Sequence, residues 1–135
     1  MHDLLEMGRC KVDVEIRTLM MVDSLEMTDN DRDLIVHQCN NAEEDKIVIT
    51  HGTDTMSETA QYIAKKLKVT DKTIILTGAM IQIKFGSSDG LFNLASALAF
   101  VQTLPAGVYV AMNGRYFNWD NVRKNRQTGV FEEVK

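Results

Sequence analysis

Residues 46–60, "KIVITHGTDTMSETA", join an apolar run to a turn of small polar residues and then to the start of a helix. The run "KIVIT" is apolar almost throughout, which is typical of a parallel strand that helices cover on both faces. Polar side chains at the carboxyl end of such a strand lie where open α/β sheets bind their ligands. The stretch therefore predicts an α/β sheet and marks the turn 51–55 as the first candidate site.

Two other apolar runs, "KTIILTG" (72–78) and "GVYVAMN" (107–113), resemble the run at 46–50. Together the three runs predict the central strands of a parallel sheet. The segment "KVDVEIRTLM" (11–20) alternates apolar and polar residues, so it predicts an edge strand with one solvated face. Helical patterns separate the strands. We therefore predict an α/β fold with a doubly wound, mostly parallel sheet and helices on both faces, in a single domain over residues 1–135.

Each of the three helical patterns begins near a residue that can cap a helix. Thr28 suits the start of the first helix, and Thr55 with Glu58 forms the T-x-x-E pattern of a capping box for the second. The third helix follows "GSSDG" (86–90), where the candidate caps are Ser87, Ser88 and Asp89. Because residues 91–104 are apolar almost all round, we expect this third helix to pack against a partner subunit in a homo-oligomer, a dimer or a tetramer.

Composition narrows the class of protein. The net charge of −4 argues against a nucleic-acid-binding surface. Cys10 and Cys39 match no metal or redox spacing, so we expect two reduced thiols and no metal or other cofactor. The stretch 91–104 is too short to span a bilayer, and residues 1–15 have no signal-peptide core. We therefore expect a cytoplasmic protein with neither a nucleic-acid nor a membrane partner.

The turn 51–55 carries residue types that suit nucleophilic chemistry. Thr53 and Asp54 follow Gly52, which we expect to allow an unusual backbone conformation, and the amides at a helix start can hold an anion. A hydroxyl nucleophile needs a base, and local spacing places no histidine for that task. Lysine can act as a base when burial or a nearby cation favours its neutral form. Lys124, which lies beside Arg123 and near Arg126, is the candidate on these grounds.

Structural interpretations of the same residues remain open. Thr53 and Thr55 would serve equally well as helix caps, and Lys124 as a solvated surface charge. Ser24 would serve only to begin a turn. His51 has no second metal ligand at turn or helical spacing, which favours a hydrogen-bonded structural role. The "GSSDG" turn lacks a Walker-type lysine, so it does not predict a phosphate-binding loop.

Three segments resemble bacterial L-asparaginases. "VITHGTDTMSETA" (48–60) resembles the second signature of that family, and "ILTGAM" (75–80) with "SSDGLFNLASAL" (87–98) resembles the segment after it. "MNGRYFNWDNVRKNR" (112–126) resembles the stretch that carries the family's catalytic lysine. The segments occur in the family's order between about Asp23 and Arg126, and the chain resembles the short single-domain form.

The resemblance implies a function and a set of site residues. It implies hydrolysis of the side-chain amide of asparagine, or of glutamine, to the acid and ammonia by a Thr–Lys–Asp triad of Thr53, Lys124 and Asp54. The α-carboxylate and α-amino groups of the substrate would contact Ser24 and Asp54, and the Ala79 carbonyl would approach the amide. The substrate-binding residues that the resemblance implies are Ser24, Gly52, Asp54 and Ala79.

The chain departs from the family's pattern in two places. Leu25 stands where family members usually have a glutamine, which would change contacts to the substrate. No "TGGT"-like turn precedes Val12, although the family carries its first catalytic threonine there. We therefore expect a chain truncated at its N-terminus, which is inactive on asparagine and prone to aggregate until roughly thirty upstream residues are restored.

Two other functions fit the same residues. The first alternative is a non-catalytic relative that binds an amino acid or a protein partner in the same pocket at the strand ends. The second alternative is a nucleotide-binding module, which the lack of a glycine fingerprint disfavours.

Overall fold

The computed structural model describes residues 1–81 and 88–135, in which a four-stranded sheet carries the core. The strand order is β1-β2-β3-β4, with the first three strands parallel and β4 antiparallel to β3. The strands are β1 (Lys46–Thr50), β2 (Thr73–Thr77), β3 (Gly107–Met112) and β4 (Arg115–Asn118). A separate two-stranded hairpin pairs β5 (Arg123–Lys124) with β6 (Phe131–Glu132). Strand β2 is buried along its whole length, because it has a neighbouring strand on each side and helices on both faces.

Helices cover both faces of the sheet. They are α1 (His2–Met7), α2 (Asp29–Asn41), α3 (Met56–Lys66) and α4 (Gly90–Val101), and a 3-10 turn covers Ser24–Glu26. Successive strand side chains point to opposite faces, so Ile74 packs with α2 and α3 while Ile75 packs with α4. The predicted doubly wound α/β class is confirmed. In the described residues no helix has the length and apolar character needed to span a bilayer.

Two strand predictions were wrong. Residues 11–20 form no strand, and Val12 and Val14 remain 42% and 37% exposed. An alternating pattern supplies an apolar face, but a strand also needs a neighbouring backbone, and this segment pairs with none in the described residues. The run at 46–50 was predicted to be central, yet β1 pairs only with β2 in the described sheet, and its side chains are at most partly buried.

The predicted cap of α2 is confirmed and that of α3 is wrong. The Thr28 hydroxyl accepts from the Asp31 amide, while the Asp31 carboxylate accepts from the Thr28 amide. Thr55 occupies the N-cap position of α3 without a capping hydrogen bond from its side chain. Its hydroxyl instead donates to the Ser24 carbonyl, a partner that becomes available only when the chain folds. The T-x-x-E pattern with Glu58 therefore forms no capping box.

Two of the candidate caps of α4, Ser88 and Asp89, accept hydrogen bonds from different parts of the chain. The Ser88 hydroxyl accepts from the Gly90 amide. Asp89 stands at the N-cap position, but its carboxylate accepts from the amides of Met80 and Ile81 across the preceding turn. The third candidate, Ser87, lies outside the described residues. Asp89 thus serves to hold the turn after β2.

The face of α4 that is turned from the sheet is partly solvated. Leu94, Ala97 and Val101 are buried, whereas Phe92 is 60% exposed. This exposed ring is available for contact with a partner subunit. The homo-oligomer stays a prediction.

Candidate active site

The structure brings together the three residues that the resemblance placed in a triad. Thr53 and Asp54 lie in the turn between β1 and α3, and Lys124 lies on β5. The Lys124 Nζ atom is 3.0 Å from Thr53 Oγ1 and 2.9 Å from Asp54 Oδ1. Only 14% of the Lys124 side chain is exposed. The interpretation of Lys124 as a solvated surface charge is therefore wrong.

A second cation, Arg126, also contacts Asp54. Its Nη2 donates to the Asp54 carbonyl oxygen at 3.0 Å, and its Nη1 lies 3.6 Å from the Asp54 carboxylate. The Arg126 side chain is 63% exposed, whereas Lys124 is largely buried. Sequence reasoning treated Arg126 only as a neighbouring charge. Its proximity to Lys124 was the signal that could have placed it at the site.

Ser24 contacts the same turn from the segment before α2. It is 3% exposed and begins the 3-10 turn Ser24–Glu26. A Cβ atom at Gly52 would lie 2.8 Å from Ser24 Oγ and 2.9 Å from Ser24 Cβ. Gly52 is therefore needed for this close approach. The prediction that it allows an unusual backbone conformation was wrong, because its φ lies outside the left-handed region.

Ala79 lies at the same edge of the sheet, in the turn that follows β2. Together with Thr50 and Thr77 it borders a cavity of about 140 Å³ whose lining is mostly apolar. In the described part of the chain, Ala79 makes no hydrogen bond to Thr53, Asp54 or Lys124. The structure thus places Ala79 near the strand ends without joining it directly to the other site residues.

His51 has the hydrogen-bonded structural role that its sequence surroundings favoured. Its Nδ1 is 2.6 Å from the Gly52 carbonyl, and its Nε2 is 2.8 Å from Thr59 Oγ1. Since a carbonyl can only accept, Nδ1 carries the proton and Nε2 accepts from the Thr59 hydroxyl. Burial lowers the pKa of His51 below its ordinary value, which favours the neutral ring.

Arg32 supports the turn from α2, and sequence reasoning missed it. Its Nε donates to Thr59 Oγ1 at 2.9 Å, and its Nη2 donates to Thr55 Oγ1 at 3.3 Å. Only 11% of the Arg32 side chain is exposed. The available signal was its spacing, because Arg32 precedes the buried Ile35 and Val36 by three and four residues and so shares their face of α2.

The three residues that meet at the site present a hydroxyl, an amine and a carboxylate. In residues 1–81 and 88–135, no group of three or more His, Cys, Asp or Glu side chains lies close enough together to hold a metal ion. Cys10 and Cys39 are both free thiols. A primary amine in contact with both a hydroxyl and a carboxylate can activate an oxygen nucleophile.

Comparisons with known proteins show the family of the chain. The family model "Asparaginase, N-terminal" matches residues 2–132. The chain is 40% identical to L-asparaginase 2 of Escherichia coli over 89 residues, covering 64% of this chain and 25% of that protein. It is 39% identical to a glutaminase-asparaginase of Pseudomonas fluorescens over 94 residues, covering 67% of this chain and 24% of that protein.

The fold agrees as well. The thermostable L-asparaginase from Thermococcus kodakarensis superimposes with a TM-score of 0.86 at 29% identity, covering 98% of this chain and 43% of that one. The chain spans about a quarter of the length of the curated relatives named above. With its fold, its strand-end turn and its family-model match in agreement, the chain belongs to the asparaginase N-terminal family.

Proposed function

We propose that this chain carries an asparaginase-type amidohydrolase site, which hydrolyses the side-chain amide of L-asparagine or L-glutamine to the acid and ammonia. The observation that supports this most directly is the position of Lys124 Nζ, which is 3.0 Å from Thr53 Oγ1 and 2.9 Å from Asp54 Oδ1. The names of its relatives, asparaginase and glutaminase-asparaginase, support the same substrate class.

The proposed reaction follows from the residue types in contact. In this proposal the Lys124 amine accepts the proton of the Thr53 hydroxyl, or of a water that Thr53 orients, and the oxygen attacks the amide carbon. Backbone amides of the turn stabilise the oxyanion that forms. The C–N bond then breaks, and the lysine returns the proton to the departing ammonia. Where Thr53 itself attacks, water hydrolyses the resulting ester and restores the hydroxyl.

Asp54 and Ser24 have supporting roles in this proposal. The Asp54 carboxylate orients the Lys124 amine and binds the α-amino group of the substrate. Ser24, held against Gly52, binds the α-carboxylate, and the Ala79 carbonyl approaches the amide. Leu25 is 65% exposed beside Ser24. An apolar side chain there offers the substrate no hydrogen bond, so discrimination between asparagine and glutamine rests on the other contacts.

We propose further that the protein is a cytoplasmic homo-oligomer. Two free thiols, Cys10 and Cys39, support a reducing compartment. The exposed Phe92 on α4 supports contact with a second subunit. Light scattering at micromolar protein concentration tests the assembly. A species of about twice or four times 15.2 kDa is expected, and a lone monomer contradicts it.

The enzymatic proposal is tested by ammonia release from L-asparagine and L-glutamine. The 135-residue chain is compared with its reading frame extended upstream by roughly thirty residues, about one βα unit. We expect saturable turnover by the extended protein and little by the shorter chain. Binding of L-aspartate without turnover in either protein supports the non-catalytic alternative. Absence of both binding and turnover contradicts the proposed site.

A further inference from the structure

The placement of Lys124 is not explained by its own strand. In residues 1–81 and 88–135, β5 contains two residues and pairs only with β6, which also contains two, and neither joins the main sheet. A two-stranded hairpin of this length has marginal stability by itself. The position of Lys124 relative to Thr53 must therefore depend on contacts between the hairpin and the rest of the fold.

Phe131 packs the hairpin against the core. It is the register partner of Lys124, directly across the hairpin. Its side chain is fully buried in the core beneath the sheet. Its amide points away from the hairpin ladder and donates to Asn113 Oδ1 at 3.1 Å. The residue opposite Lys124 is thus held by packing through its ring and by Asn113 through its backbone.

Asn113 lies in a turn whose backbone leaves few choices of residue. It follows β3 with φ 60°, and Gly114 follows with φ 77°, as in the Asn-Gly turns that join antiparallel strands. Asparagine adopts this left-handed conformation at low cost, and glycine would do so as well. The turn alone would therefore accept glycine at position 113. Within the described part of the chain, the hydrogen bond from the Phe131 amide is what requires a side-chain acceptor at position 113.

Asn93 extends the connection to the other side of the site. It is 1% exposed on α4, and its Oδ1 accepts from the Asn113 amide at 3.2 Å. Its Nδ2 donates to the Gly78 carbonyl and to Asp89 Oδ2, both at 2.8 Å. Asn93 thus connects Asn113 to the turn that carries Ala79.

Asp89 completes the connection, because its carboxylate holds that turn through the amides of Met80 and Ile81. Burial by itself raises the pKa of Asp89, but hydrogen bonds from Ile81, Met80 and Asn93 outweigh it and hold the pKa below the ordinary value. Asp89 thus remains a charged acceptor at neutral pH. One hydrogen-bonded path therefore runs from the Ala79 turn through Asn93 and Asn113 to the hairpin of Lys124.

We propose that Asn113 is a positioning residue that holds the Lys124 amine against Thr53 and Asp54. In this proposal Asn93 fixes the position of Asn113 relative to the turn that carries Ala79. As a statement about catalysis, this inference rests on the proposed amidohydrolase function. As a statement about the position of Lys124, it can be tested without any turnover.

Two substitutions at Asn113 test the side-chain acceptor separately from the backbone conformation of the turn. Asn113→Gly keeps the left-handed backbone and removes the acceptor, whereas Asn113→Asp keeps both, since aspartate also tolerates this conformation. In the extended protein we expect Asn113→Gly to lower kcat for asparagine by about tenfold or more with KM changed less than about twofold, since misplaced catalytic groups cost rate. We expect Asn113→Asp to recover most of kcat, and both variants to keep the parent's circular dichroism spectrum.

A second measurement does not depend on activity. The side-chain resonances of Lys124, assigned by their loss in Lys124→Met, and the exchange rate of the Phe131 amide are recorded by NMR for the parent and both variants. Asn113→Gly should shift the Lys124 resonances and speed exchange at Phe131, and Asn113→Asp should restore both. If turnover is absent but these changes occur, the amidohydrolase proposal fails and the positioning role stands. Unchanged Lys124 resonances in Asn113→Gly, or an unchanged kcat where the parent is active, overturn the inference.

Discussion

The turn 51–55 and the hairpin 123–132 supply opposite sides of the candidate site, and the fold holds them in different ways. The turn joins β1 to α3, two elements that are adjacent along the chain. The hairpin begins about seventy residues later, lies outside the main sheet, and is held by the buried Phe131 and the Asn113 side chain.

This difference separates two kinds of functional residue. Thr53 and Asp54 are placed by the strand and helix that flank them, so a change at either residue alters chemistry first. Lys124 is placed by distant contacts, so its contribution can be lost through residues that never touch the site. Four experiments test this distinction, with every activity measured in the protein extended upstream, and they are ordered from the largest expected effect to the smallest.

The largest effect is expected when either side of the site loses its reactive group. Thr53→Val and Lys124→Met should each reduce ammonia release from asparagine by roughly 10⁴-fold or more, because residues that act as a unit fail together. Circular dichroism should stay unchanged. The matched control is Arg123→Met, which removes a neighbouring, 61% exposed cation and should retain turnover. Near-native turnover in either site variant contradicts the proposed triad.

Phe131→Ala should affect the hairpin through stability. The ring is fully buried, so its loss should lower the free energy of unfolding by about 3–5 kcal/mol, measured by urea denaturation. Val130→Ala is the control, because the adjacent Val130 side chain is 46% exposed and should cost little. Equal effects of the two changes would show that burial of Phe131 does not hold the hairpin.

Gly52→Ala should affect the turn through sterics. The added methyl group would lie 2.8 Å from Ser24 Oγ, so Ser24 must move, at a cost of about 1–3 kcal/mol in stability. We also expect a higher KM for asparagine, because Ser24 is proposed to bind the α-carboxylate. Gly8→Ala is the control, since its methyl group would meet the flexible end of Leu91 at 3.3 Å and two carbonyl oxygens at ordinary contact distances of 3.5 and 3.9 Å. An unchanged KM in Gly52→Ala would argue against the proposed role of Ser24.

The smallest effect is expected in the pH dependence of stability, through the buried His51 behind the turn. Burial lowers the pKa of His51 below 6.5, so the unfolded chain binds this proton more readily than the folded chain. The stability from the neutral ring is therefore fully present above about pH 6.5 and declines as the pH falls below it, by at most about 1.4 kcal/mol per pH unit. Urea denaturation at several pH values should show a weaker decline in His51→Gln. An equal decline in both proteins contradicts this account.

Much of the fold could be predicted because its strongest patterns are local. The continuous apolar runs of β2 and β3 indicated buried parallel strands, and Thr28 indicated a cap whose partner, Asp31, lies only three residues along the chain. The failures depended on partners that lie far along the chain, whose presence or absence is decided only once the chain has folded. Thr55 has the right spacing for a capping box, but its hydroxyl donates to the Ser24 carbonyl. Residues 11–20 have the alternation of a strand without a strand to pair with.

The sequence by itself determined the α/β class, the turn that carries Thr53 and Asp54, and the identity of Lys124 as the residue to test. These follow from side-chain chemistry and spacing within a few residues, which every conformation of the chain shares. Only the tertiary structure decided that Lys124 Nζ lies 3.0 Å from Thr53, that Gly52 makes room for Ser24, and that Asn113 holds the hairpin. The physical reason is that such contacts join residues distant along the chain. Their geometry depends on how the whole core packs.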